Sequence, residues 1–184
     1  MKLRIGTLAL GTVLLLSGCG TPAWMTQTPN QLAQATGIDP NDVELTEYCS
    51  FGIIDPENAT LEHSVVTGAF IMTKSQIYLL NGKPSEPTMT LFRTIPVKSI
   101  RGVGTRSFGR AVQLQLIHDG RIIFMNFQKD AAWQDKEAPS SIHQKLTGEG
   151  VPQWTPVATY FQLSAKEAKS LTGELTKINP VKIP

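Results

Sequence analysis

Between Thr60 and Phe127, hydrophobic and polar positions alternate with the two-residue period of half-buried strands. Ser64 to Thr73 is rich in β-branched and aromatic residues, with Gly68 marking an expected bulge or bend. Thr73-Lys74-Ser75-Gln76 reads as a tight turn into a strand from Gln76 to Leu80, which Asn81-Gly82 ends. Thr88 to Ile95 places Met89, Leu91 and Arg93 on one face. After Pro96, Val97 to Val103 carries apolar residues at 97, 100 and 103. Ala111 to Ile117 sets Val112, Leu114 and Leu116 against Gln113 and Gln115. Asp119-Gly120 is a hairpin signal, and Arg121 to Phe127 returns. The pattern predicts six or seven antiparallel strands with short connections.

A helical period appears only at the flanks. Thr28-Pro29 supplies an N-cap and a first-turn proline, and Gly37 ends that short helix. Asp39-Pro40 starts a second signal, with Ile38 and Val43 spaced as a hydrophobic staple. Val43 to Ile54 reads equally as helix or strand. Residues 128–158 break the rhythm with three prolines and two glycines, and a short helix from Ser141 to Leu146 is expected inside them. Thirty residues is long for a connection, and Trp133 and Trp154 are expected to tack it down. Ser164-Ala165-Lys166-Glu167 forms a capping box, followed by Ala168, Leu171, Leu175 and Ile178 at spacings of three and four. An amphipathic helix laid on the sheet is expected there, ended by Asn179-Pro180.

The first eighteen residues follow neither period. Lys2 and Arg4 precede an apolar run from Leu8 to Leu16, the layout of a secretory signal. The run is shorter than the ~20 apolar residues that cross a bilayer. It ends in Leu16-Ser17-Gly18-Cys19, which resembles the lipobox of bacterial lipoproteins. That resemblance implies a thioether-linked diacylglycerol on Cys19, cleavage before it and acylation of the new amino group. One acyl chain holds only marginally, at about 0.8 kcal/mol per buried methylene, whereas several chains anchor stably. Gly20 stands where an aspartate would imply inner-membrane retention, so the resemblance implies the outer membrane, facing the periplasm. Residues 20–28 read as an uncharged tether. Trp24 within it suits either the headgroup region or the domain surface. The expected division is signal peptide 1–18, lipidated tether with a short helix 19–40, and folded domain 41–184.

Composition then narrows the classes. The 184 residues are 41% hydrophobic and 17% charged, enough for one core. The formal charge of +2 is too small for a nucleic-acid binder, and losing Lys2 and Arg4 with the signal makes the mature chain formally neutral. Two cysteines cannot build a disulfide framework. With Cys19 acylated, Cys49 stands alone, and its neighbours Tyr48 and Phe51 favour a buried structural thiol.

Three segments resemble GRAM and bacterial pleckstrin-homology-like (PH-like) domains. They are Gly68-Ala69-Phe70-Ile71-Met72-Thr73 running on to Leu80, Ile95-Pro96-Val97-Lys98-Ser99-Ile100-Arg101-Gly102-Val103, and Asp119-Gly120 to Phe127. The resemblance spans roughly residues 60–178. It implies an α+β fold in which a bent sheet or barrel of six to seven antiparallel strands is plugged by one C-terminal amphipathic helix. Domains of that superfold serve mostly as platforms for lipid headgroups, peptides or proteins, although a fold alone carries no function.

Signatures of chemistry are sparse. His63, His118 and His143 lack metal-ligand spacing to one another or to Cys49. No Gly-x-Ser-x-Gly elbow surrounds a serine. Gly102-Val103-Gly104 opens a glycine pattern, but Ser107 takes the third glycine place and no βαβ unit surrounds it. Charge, by contrast, is segregated. Asp39 to Glu62 carries seven acids and no lysine or arginine, while Arg93 to Arg121 carries six basic residues against Asp119. Arg101, Arg106, Phe108 and Arg110 are the candidate interaction residues, as a cationic rim for anionic headgroups or an acidic partner. The alternative is that the basic strands face the acidic segment within one domain. The expected function is therefore a non-enzymatic binding or scaffolding module without cofactor or metal. It would be held at the membrane by acyl chains on Cys19 and would dock an envelope protein. Binding of anionic lipid through Arg101–Arg110, or an unrecognised envelope enzyme, are the other readings.

Overall fold

Each alternating segment becomes a strand of one curved antiparallel sheet in the computed structural model, which describes residues 27–57, 60–83, 86, 88–108, 111–130 and 133–156. The strands are β1 (Leu45–Asp55), β2 (Thr60–Met72), β3 (Gln76–Gly82), β4 (Met89–Pro96), β5 (Ile100–Phe108), β6 (Ala111–His118), β7 (Arg121–Asp130) and β8 (Trp133–Gln134). The ambiguous stretch after Val43 is β1, one strand more than the alternation alone requires. The order is β4-β3-β2-β1-β7-β6-β5, with β8 added to β7 off that path. β4 and β5 are thus consecutive in the chain yet lie at opposite ends of the sheet, and the sheet is not closed by pairing between them. A 3-10 turn, Val97–Ser99, joins them, where the sequence had read continuous strand.

The concave face holds the main core. Cys49, Phe51 and Ile53 of β1, Phe70 and Met72 of β2, Ile123, Met125 and Phe127 of β7, and Leu114 and Leu116 of β6 are buried together. The two-residue spacing in each strand puts these side chains on the same side of the pleat. Phe70 and Phe127 meet edge to face with centroids 5.6 Å apart, a geometry favoured by the ring quadrupoles. Helix α1 (Pro29–Ala35) packs Leu32 and Ala33 onto the opposite face, against Ala69, Ile71, Leu80 and Met89. Thr28 is its N-cap, as expected, and the structure completes a capping box: the Thr28 hydroxyl accepts from Gln31 N–H while the Gln31 side chain accepts from Thr28 N–H. Gly37 ends it in the left-handed region (φ 73°).

Helix α2 (Glu137–Gly148) closes the core with Ala138, Ile142 and Leu146. The sequence had located only its second half, because Pro139 and two serines mask the beginning. Proline is tolerated in a first turn, where no intrahelical donor is lost. Asp135 Oδ1 supplies the missing start signal by accepting from the N–H groups of Glu137 and Ala138 (2.8 and 3.0 Å). Among the described residues α2 is the helix that plugs the sheet. The expected helix from Ser164 to Ile178 lies outside the described residues, as do Met1 to Met25 with Cys19 and Trp24.

Two local expectations change. Gly68 is not a bulge: it pairs in regular register with Cys49 and Asn81. It is glycine because the Leu80 carbonyl of the neighbouring strand occupies the place a Cβ would take. Met89, Leu91 and Arg93 do not share a buried face either. A register shift between Leu79 and Leu80 pairs these with Arg93 and Leu91, leaving Phe92 as the extra residue. Met89 is buried and Leu91 is exposed.

Candidate functional site

The expected cationic rim is distributed rather than gathered. Arg101 is the residue skipped between Ile100 and Gly102 in the β5–β6 register, and a bulge turns it out to solvent. Arg106 is five residues on, about 16 Å along a strand. It is half-buried, with Nη1 3.4 Å from the Pro156 carbonyl oxygen. Phe108 ends β5; its side chain and Arg110 lie outside the described residues. Arg121 bridges Glu62 (3.0 Å) and Asp55 (3.5 Å), so this member of the basic stretch does face the acidic segment.

The glycines of Gly102-Val103-Gly104 have a packing role. A short stretch after α2 runs parallel to β5, with Val103 N–H donating to Pro152 O and Trp154 N–H to Val103 O, both at 2.9 Å. A Cβ on Gly102 would meet Trp154, and one on Gly104 would strike the Trp154 carbonyl and Pro156. Trp154 therefore tacks the segment down as expected, and the β5 edge is covered.

The β4 edge carries no such cover among the described residues. Leu91 stands 48% exposed on it, the most exposed large hydrophobic side chain described, flanked by exposed Thr90 and Thr94. Phe92 turns inward and tilts against Phe51 at 5.2 Å.

A third feature escaped the sequence. The β2–β3 turn is held shut by Thr73: its N–H donates to Gln76 O (2.9 Å) and its hydroxyl accepts from Gln76 N–H (3.1 Å). The turn is tied to the 3-10 turn by Val97 N–H donating to Ser75 O (2.9 Å). Between them lies a recess of about 330 Å³ lined by Lys74, Ser75, Gln76, Val97, Lys98 and Glu149. Lys74 and Ser75 also border a wider cleft of about 580 Å³, whose other walls include Asp39, Asp42, Glu44 and Tyr78. Glu44 is held by Lys145 (2.9 Å). No sequence signal placed Lys98 beside Lys74, because the contact depends on the β3–β4 register, in which Gln76 pairs with Pro96.

The remaining titratable groups stand apart. Cys49 is fully buried, and desolvation, with the Glu47 carboxylate adding, pushes its thiol far above the ordinary value. Burial lowers His118, with Arg93 adding to the effect and Asp119 opposing it. Among the described residues, no group of three or more His, Cys, Asp or Glu side chains could hold a metal ion.

No family model and no curated protein matches this chain. Solved structures give only distant likenesses. A structure of the Vav1 exchange factor with its PH and C1 domains is 10% identical, with a TM-score of 0.40, over 67% of this chain and 28% of that one. The DH/PH domains of p115-RhoGEF give 11% and 0.39 over 73% and 38%. The hSac2 domain from human phosphoinositide phosphatase Sac2 gives 7% and 0.41 over 66% and 82%. This chain spans well under a third of the Vav1 structure's length. These neighbours include PH-domain-containing proteins.

Proposed function

We propose that this protein is a lipid-anchored component of a bacterial envelope, held at the membrane through Cys19, whose domain is a binding module for a protein partner rather than an enzyme. The observation that carries this reading is the β4 edge, which pairs with no further strand among the described residues, with Leu91 exposed upon it. An edge strand presents unpaired backbone N–H and C=O groups, which an extended segment of another chain satisfies by adding as a further strand. An exposed leucine beside that ladder gives the incoming strand an apolar contact. Among the described residues the chain itself bonds to the other edge at Val103 and nothing pairs with β4, which makes β4 the edge offered.

A photo-crosslinking side chain at position 91 of the membrane-bound lipoprotein tests this, with position 144 on the exposed side of α2 as control. The expected result is a discrete protein adduct at 91 that is absent at 144 and is lost in a Thr90→Pro background, which stiffens the edge. Equal adducts at both positions, or none at 91, would overturn it. Leu91→Lys should weaken capture of the same partner about tenfold, by removing roughly 1.5 kcal/mol of apolar burial.

A further inference from the structure

We propose that the recess between the β2–β3 turn and the 3-10 turn binds a zwitterionic phosphate ester, a phosphate carrying an ammonium group a few ångströms away. The inference uses none of the β4 residues on which the partner reading rests. Two lysines, Lys74 and Lys98, project at the recess from two rigid turns. Neither makes an ion pair with a carboxylate among the described residues, whereas Lys83 and Lys145 each do. Two ammonium groups beside a serine hydroxyl are a donor set for a phosphate oxygen cluster.

The other wall has the opposite character. Glu149 lines the recess as an acceptor but is bonded to neither lysine. Gln76 lines it too. A simple anion would satisfy the lysines and leave Glu149 facing a like charge. A phosphate ester with a nearby ammonium satisfies both walls. The volume of about 330 Å³ is at the lower end of ligand pockets, the size of a polar headgroup rather than of an acyl chain.

The turns that form the recess are fixed before any ligand arrives. Thr73 locks one, the Ser99 hydroxyl donates to Pro96 O (2.6 Å) in the other, and Val97 N–H joins them. The backbone positions from which both lysines extend are therefore fixed by the two turns, not by each other.

Glycerophosphoethanolamine, titrated into the mature lipoprotein in detergent micelles, is the direct probe, read by the backbone amide signals of Lys74, Ser75 and Lys98. These signals should shift and saturate. The double variant Lys74→Ala/Lys98→Ala should weaken binding at least tenfold, and Lys83→Ala should leave it unchanged. Glu149→Gln should weaken glycerophosphoethanolamine while leaving inorganic phosphate unaffected. No saturable shift, equal loss in Lys83→Ala, or equal affinity for inorganic phosphate would each overturn the proposal. Both lysines and the glutamate are exposed, so these variants retain the fold, and an unchanged melting temperature verifies it. Vesicles with and without phosphatidylethanolamine then separate the sources. Signals that respond to the lipid as well as the soluble ester assign a bilayer headgroup, and response to the ester alone assigns a soluble metabolite; both support the shared chemistry.

Discussion

Single positions carry sharply different burdens in this fold. At Gly68 the neighbouring Leu80 carbonyl leaves no room for a methyl group. Because the obstacle is backbone within a paired ladder, it cannot rotate away. Gly68→Ala should cost about 3 kcal/mol and lower the melting temperature by about 6–12 °C, as read by thermal unfolding. Cys49 sits in the core and its thiol resists ionisation, so it should not react with iodoacetamide in the native state and should react fully once unfolded. Glu47 is raised above the ordinary carboxylate value by burial first and by Asp135 second, with Lys129 opposing. Its native pKa exceeds its unfolded one, so ionisation disfavours the native state as pH rises through the raised value. Glu47→Gln should therefore stabilise the protein at pH 7, and the gain should vanish as pH falls below about 4.5, the ordinary value. Melting temperatures measured across that range check the sign.

At the scale of elements, the segment after α2 makes the strongest claim. Trp154 lies on the glycine floor of β5 and holds a parallel stretch with two backbone hydrogen bonds. Trp154→Ala should cost about 2 kcal/mol and free the β5 edge, so amide exchange at Val103 should accelerate ahead of global unfolding. Most strands were legible in the sequence because alternation is a direct record of which side of the pleat faces the core. Asp119-Gly120 then placed the end of β6, whereas Asn81 and Gly82, read as ending the strand at Leu80, continue β3 and pair with Thr90 and Met89. Legibility failed where polar residues of a strand are buried in polar pairs with one another. Gln113 and Gln115 read as solvent-facing, yet both are buried. Gln115 Nε2 donates to Gln113 Oε1 (2.7 Å), and Gln113 Nε2 lies 3.3 Å from Asn126 Oδ1. α2 was half-read because its start signal is Asp135, one residue before Lys136 and Glu137, with Pro139 inside the first turn. The recess was invisible because Lys74 and Lys98 are brought together by pairing between β3 and β4, and pairing register leaves no local mark. The arginines of the stretch were legible as charge but not as geometry, since a bulge and a carbonyl decide where Arg101 and Arg106 point.

For the whole molecule, attachment and shape are separate inheritances. The Leu16-Ser17-Gly18-Cys19 resemblance concerns residues outside the described ones. Cys19→Ser should release the protein from membranes and abolish labelling by a fatty-acid probe; persistent labelling would remove the basis for anchoring. The Tyr48 hydroxyl donates to Gln27 O (2.9 Å), which ties the first described residue to the face on which α1 lies. The sheet order has a consequence for how such a chain is made. β1 is the hinge of the sheet: it pairs with β2 beside it in sequence and with β7 far along it, Tyr48 meeting Gln128 and Ile54 meeting Ile122. A polypeptide threaded through a membrane from its N-terminus delivers β1 early and β7 late. Until Arg121 to Asp130 has crossed, one flank of β1 has no partner and the concave core lacks Phe127. Pairings of such sequence separation fold slowly, and for the exported lipoprotein proposed above that delay would leave one flank of β1 unpaired until nearly all of the sheet has emerged.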